Sequence, residues 1–202
     1  MKMFQGLVMA LCVPFAYLNL LGGIVAGIWL AILGQWGTIV GGLFLFFTAT
    51  FVINFVLIPM RLFIPPAVYC AEKGKTFGLL FFSALSNLYV ITVMTVWCCG
   101  VLFTFVKDAT SSSLIPLLIW SYGIATGPWA YMASRDQEVG GSPATAITTF
   151  LAQIGYVVIM LMVIFSTITT IQALQVFAGF MVVGWVIQMI MVYQMRKEWV
   201  RI

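Results

Sequence analysis

The chain has 202 residues, of which 63% are hydrophobic and 7% charged, with a formal net charge of +4, no histidine and a mean hydropathy of +1.15. Soluble domains are about half apolar and about a quarter charged, so this composition excludes a water-soluble domain and selects a lipid-embedded one. The positive balance does not point to nucleic acid, because the basic residues stand singly or in pairs beside apolar stretches, where they meet headgroups.

A bilayer core about 30 Å thick is crossed by about 20 helical residues, and a span cannot leave backbone groups unpaired in hydrocarbon. The expected fold is therefore all-α: a polytopic bundle of six transmembrane helices forming one domain over 1–202, with spans at 4–34, 39–60, 76–106, 114–133, 144–168 and 173–195. The first stretch is longer than the 7 to about 15 apolar residues of a secretory signal, so it reads as a retained span. Gln35, Trp36, Gly37 and Thr38 interrupt the pattern and suit a tight interfacial turn, giving a helical hairpin.

The largest loop follows, with Arg61, Pro65, Pro66, Glu72, Lys73, Gly74 and Lys75. Its apolar part, 62–70, is expected along the membrane surface. The third span exceeds the core thickness and requires tilt or a projecting end. Lys107 and Asp108 close it, and Ser111, Ser112 and Ser113 supply cap hydroxyls before Pro116 in the first turn of the fourth span. A charged turn at Arg135, Asp136, Gln137 and Glu138 leads into a joint at Gly140, Gly141, Ser142 and Pro143. Thr169, Thr170 and Gln172 read as a short link to the last span, and Arg196, Lys197, Glu198, Trp199 and Arg201 form the tail.

An inside amino terminus places Lys2, Arg61, Lys73, Lys75, Arg135, Arg196, Lys197 and Arg201 on one side and leaves Lys107 alone on the other. The positive-inside bias then sets both termini in the cytoplasm. Short loops and the lack of a targeting segment give a bacterial-type plasma membrane as the expected location. Three spans in each half would suit an inverted repeat, yet Val25-Ala26-Gly27-Ile28-Trp29 and Val182-Val183-Gly184-Trp185 share only Gly and Trp, which does not establish one.

Small residues mark the first two spans: Gly23, Gly27, Ala31 and Gly34, then Gly37, Gly41 and Gly42. Gly23 to Gly27 and Gly37 to Gly41 are both G-x-x-x-G, a spacing that lets helix backbones approach in lipid, in the bundle by default or in a dimer. A third G-x-x-x-G, Gly123 to Gly127, lies in the aromatic stretch from Trp120 to Tyr131 beside Pro128, whose missing N–H releases the Ile124 carbonyl. Trp120, Tyr122, Thr126 and Trp129, with Asn54 and Asn87, are the candidate ligand-binding residues. The plainer reading is an interfacial aromatic belt, a kink, and ordinary interhelical bonding. Asn19, Asn54, Asn87, Gln153 and Gln188 should face protein or a hydrated cavity, and Ser83 and Asn87 share a helical face.

Cys12, Cys70, Cys98 and Cys99 form no C-x-x-C and have no histidine beside them, so neither a metal nor a cofactor is expected. Glu72, Asp108, Asp136, Glu138 and Glu198 lie in loops or the tail, which leaves no placed acid or base for an enzyme and no intramembrane relay for ion coupling. The expected function is a small transport component or passive pore for a neutral or weakly polar solute. The alternative is a non-catalytic subunit or scaffold that packs with partner transmembrane helices. The expected partners are the lipid bilayer and either a second copy or a partner membrane subunit. In size, span number and inward termini the chain is similar to the substrate-binding subunits of energy-coupling-factor vitamin transporters. The Ala-x-x-x-Ala pattern by which those subunits meet their coupling partner is absent from every expected span.

Overall fold

The computed structural model describes the backbone of residues 2–107, 109–138, 143–165 and 168–195, and among these the side chains of all but 2–13, 15, 16, 134–138, 143–146 and 195. The side chains of Lys2, Cys12, Arg135, Asp136 and Glu138, together with Asp108, the joint at Gly140, Gly141 and Ser142, and the tail from Arg196 onward, lie outside what is described. The helices are α1 (Lys2–Ile32), α2 (Trp36–Val56), α3 (Ile58–Arg61), α4 (Ile64–Glu72), α5 (Thr76–Val106), α6 (Leu114–Glu138), α7 (Pro143–Phe165) and α8 (Thr170–Met195). The protein is all-α, with no strand among the described residues.

Trp36–Arg61, Thr76–Val106, Ile147–Phe165 and Thr170–Gln194 are each long and apolar enough to cross a membrane, and Tyr17–Ile32 is a shorter apolar stretch. Large apolar side chains such as Ile28, Phe44, Phe47, Phe51 and Val182 face outward, as lipid-exposed helices require. This is a membrane protein. α6 is not among the four candidate spans, and its position explains why. It packs against α1, α2, α5 and α7, so its surroundings are protein, and it can carry Ser121, Tyr122 and Thr126 without meeting hydrocarbon. α8 closes the bundle against α5 and α7.

Two turns are set by glycines in the left-handed region. Gly34 (φ +74) ends α1 with its N–H donating to the Ala31 carbonyl at 3.0 Å and the Gln35 N–H donating to the Leu30 carbonyl at 2.9 Å. Gly74 (φ +66) ends α4 with the same pair of bonds, Gly74 to Ala71 at 3.0 Å and Lys75 to Cys70 at 2.8 Å. Each pair satisfies carbonyls that a helix end leaves open, at a backbone angle that a side chain would strain. The break between α1 and α2 therefore falls at Gly34. Trp36, Gly37 and Thr38, expected in the turn, belong to α2.

The loop segment 62–70 is mostly helical. Pro59 starts α3, and Pro65 and Pro66 stand in the first turn of α4, where a missing N–H costs nothing. Ala67, Cys70 and Ala71 are buried as α4 lies on α5, and a Cβ at Gly78 would stand 2.5 Å from the Cys70 sulfur. The Tyr89 hydroxyl donates to the Val56 carbonyl at 2.7 Å, fixing the end of α2 to α5. At the start of α8, the Gln172 N–H donates to Thr169 Oγ1 at 3.2 Å, while Gln172 Oε1 accepts from the Thr169 N–H at 2.9 Å. This reciprocal box makes the expected link residues the first turn of the helix. Gly155 lies under Phe177 and Phe180, and Gly184 meets Leu151, so α7 and α8 approach closely at both places.

Candidate functional site

α6 begins at a hydroxyl cluster. The Thr110 N–H donates to Ser113 Oγ at 3.0 Å, and Ser113 is 1% exposed. Further along, Trp120, Tyr122, Thr126 and Trp129 are all buried, at 7%, 8%, 1% and 4% exposure. They do not share one face of the helix. At 100° per residue, Tyr122, Thr126 and Trp129 fall within one sector of the helix and Trp120 on the far side.

Trp120 occupies a slot between α1 and α2. A Cβ added at Gly27 would stand 3.3 Å from its Cζ3, and one added at Gly42 would stand 2.8 Å from Cε2 and nearer still to Nε1. Gly123 faces the Asn19 amide oxygen, which a Cβ would meet at 3.3 Å, and Gly127 faces Phe46. The expected packing glycines thus divide. Gly27, Gly123 and Gly127 are sites of close approach, whereas a Cβ at Gly23, Gly37 or Gly41 would meet nothing within 4 Å.

Around the other sector runs a set of neutral hydrogen bonds. Asn19 Nδ2 donates to Thr126 Oγ1 at 2.7 Å, and Thr126 Oγ1 donates to the Tyr122 carbonyl at 2.8 Å. Such buried bonds between spans contribute about 0.6 to 1.7 kcal/mol each. The Tyr156 hydroxyl donates to Ser121 Oγ at 3.0 Å, and its ring lies 5.8 Å from that of Tyr122. Trp97 Nε1 donates to the Ala125 carbonyl at 3.0 Å, one residue past the Ile124 carbonyl that Pro128 releases. Cys98 and Cys99 are buried free thiols on α5, with Cys98 Sγ 3.8 Å from the same Ala125 carbonyl.

Asn54 and Asn87 do not join this set. Asn54 is exposed on α2 and donates to the Thr50 carbonyl of its own helix at 2.7 Å, and Asn87 is half-buried on α5. Gln188 pairs with Thr148 between α8 and α7. Sequence reasoning missed Ser121, Tyr156 and Trp97 as partners. The available signal was a phenol and an indole in mid-span, whose polar ends must find acceptors when buried.

Trp120 Nε1, Trp129 Nε1 and Gln153 Oε1 are buried with no hydrogen-bond partner among the described residues. An unpaired buried polar group costs about 1 to 3 kcal/mol and calls for a reason. Other indoles of this protein do find acceptors: Trp97 as above, and Trp185, which donates to the Ala84 carbonyl at 3.3 Å. Trp129 and Gln153 lie on α6 and α7, which pack together and are separated in sequence only by residues 139–142, so they run antiparallel. With Tyr156 tied to Ser121, Gln153 is displaced along α7 in the direction that leads along α6 toward Trp129. Each helix thus carries one uncharged polar atom without a partner, an N–H donor on α6 and an amide acceptor on α7. Among the described residues no group of three His, Cys, Asp or Glu is placed to hold a metal ion. Compared with protein-family models, curated proteins and solved structures, the chain matches none.

Proposed function

We propose that this membrane protein is a small transport component or passive pore for a neutral, weakly polar solute, threaded six times with both termini on the cytoplasmic side of a bacterial-type plasma membrane. The observation that carries the reading is the pair of unpaired, fully neutral groups, Trp129 Nε1 and Gln153 Oε1, buried in adjacent helices. A solute bearing both an acceptor and a donor would satisfy them, and an ion would find no countercharge among the described side chains of α6 and α7. The orientation rests on the eight basic residues gathered on one side of the threading.

The test is solute-driven swelling of proteoliposomes, measured by light scattering with glycerol, urea and erythritol. Flux above protein-free vesicles is expected, with Trp129→Phe and Gln153→Leu each lowering it about tenfold, as loss of a hydrogen bond worth about 1.4 kcal/mol would do. Wild-type flux equal to that of empty vesicles, or both variants at full flux, rejects the proposal.

A second reading, a scaffold for partner transmembrane helices, is favoured by α2. Only Gly42, Ala49 and Ile53 of that helix are buried, and its outward face carries Phe44, Phe47 and Phe51 with Gly37 and Gly41 open. Purification as a lone monomer in mild detergent would remove that reading.

A further inference from the structure

We infer that the face formed by α3, α4 and the α4–α5 turn is a docking surface for acidic phospholipid headgroups. Three cations frame it. Arg61 closes α3, and Lys73 and Lys75 flank Gly74 at the opposite end of α4. All three are exposed, and Glu72 is the one carboxylate in the segment. Among the described residues no ion pair engages their side chains, and the contact recorded for Lys75 is with the Tyr69 ring, 5.9 Å from Nζ to the centroid.

The frame is rigid, because α4 is nine residues long, about 13.5 Å, and its inner face is seated on α5 through Ala67, Cys70 and Ala71. The glycine turn then fixes where the lysines stand. Between the cations the outward surface is apolar: Leu62 is 71% exposed, Tyr69 53%, and Phe77 82% on the adjoining first turn of α5, where it stacks on Phe81. An apolar face edged by cations suits the boundary between acyl chains and headgroups. Excess positive charge with no internal partner selects acidic over zwitterionic lipid, since each Lys or Arg beside the membrane gains attraction from an anionic surface. This inference does not rest on the transport reading.

The experiment exchanges the purified full-length protein in detergent against equal phosphatidylglycerol and phosphatidylcholine and counts retained lipids by native mass spectrometry. A preference of about a hundredfold for phosphatidylglycerol is expected, as three cations each contributing about fivefold would give. Arg61→Gln, Lys73→Gln and Lys75→Gln should each reduce it about fivefold, and Lys107→Gln on the opposite loop should leave it unchanged. About 1 M NaCl, where the Debye length is about 3 Å, should abolish the preference in the unmodified protein, which gives a readout even if a variant fails to fold. About 10 mM inorganic phosphate should not compete. Equal retention of the two lipids, a preference that survives the triple variant or high salt, or displacement by inorganic phosphate would each overturn the inference. So would an acidic protein that co-purifies and is released by the triple variant while lipid retention stays the same.

Discussion

Gly41 and Gly42 are neighbours in sequence and opposites in environment, and alanine at each position separates the effect of helix propensity from that of packing. In a helix interior, Gly→Ala gains about 0.8 to 1 kcal/mol from backbone entropy. At Gly41 the new methyl meets nothing within 4 Å, so the whole gain should appear as added stability. At Gly42 the methyl would stand 2.8 Å from Trp120 Cε2 and 3.1 Å from Cζ2, well inside ordinary contact. The indole cannot retreat freely, because its Cζ3 edge is already close against Gly27 of α1. Overpacking of this kind costs about 1 to 3 kcal/mol, leaving a net loss of about 0 to 2 kcal/mol after the propensity gain. The two alanine variants should therefore differ by about 1 to 3 kcal/mol.

Reversible unfolding in mixed micelles measures that difference. In a Trp120→Phe background, where the smaller ring vacates the contact, the difference should shrink toward zero. Agreement of Gly41→Ala and Gly42→Ala within about 0.5 kcal/mol, or a gap that persists with phenylalanine at 120, would refute the slot assigned to Trp120.

Further outcomes follow from the other contacts. Thr126→Val removes the acceptor of Asn19 Nδ2 and should destabilise by about 0.6 to 2 kcal/mol, and in the Asn19→Leu background the same substitution should cost clearly less, as a double-mutant cycle would read. Gly78→Ala should lift α4 from α5 at Cys70, raising the rate of maleimide labelling at Cys70 about tenfold while Cys98 and Cys99 stay slow, as peptide mass spectrometry would locate. Equal labelling of Cys70 in the two proteins would show that α4 is held by other means.

Lipid embedding and helical content were legible because composition and the length of apolar runs decide them. The phase of each helix was not. Gly37 and Gly41 have the spacing of a packing motif, yet they face outward, while Gly42, one residue and about 100° further round, takes the contact. Spacing tells which residues share a face and not which neighbour that face meets. The position of the turn at Gly34 is hidden for a related reason. Gln35, Trp36 and Thr38 break the apolar pattern, but the chain reverses where a positive φ is needed, at the glycine before them. The box of Thr169 and Gln172 is present in the sequence as hydroxyl and amide three residues apart, but two polar residues between apolar runs have the composition of a link as well as that of a cap. For the candidate site, burial of the aromatics on α6 was within reach of the sequence. Their partners on α1, α5 and α7 were not, since a mid-span Asn, Trp or Tyr announces a need for a partner without naming it.

The unpaired indoles of α6 are not equivalent, and the functional reading depends on separating them. Trp120 Nε1 lies so close to the Gly42 position that no solute atom fits between, and its isolation follows from the close approach of α2 to α6. Steric placement explains that N–H fully. Trp129, on the other sector of the helix, is 4% exposed with no described glycine position against its ring, and on α7, which packs against α6, the Gln153 amide oxygen is likewise buried without a partner. A role for solute recognition must therefore be read from Trp129 and Gln153. Trp120→Phe should leave flux unaltered even as it changes stability, whereas Trp129→Phe should lower flux, its cost in stability coming from the smaller ring alone because the N–H it removes has no protein partner to lose. The reverse pattern would move the site to the α1–α2 side of α6 and discard the assignment made here.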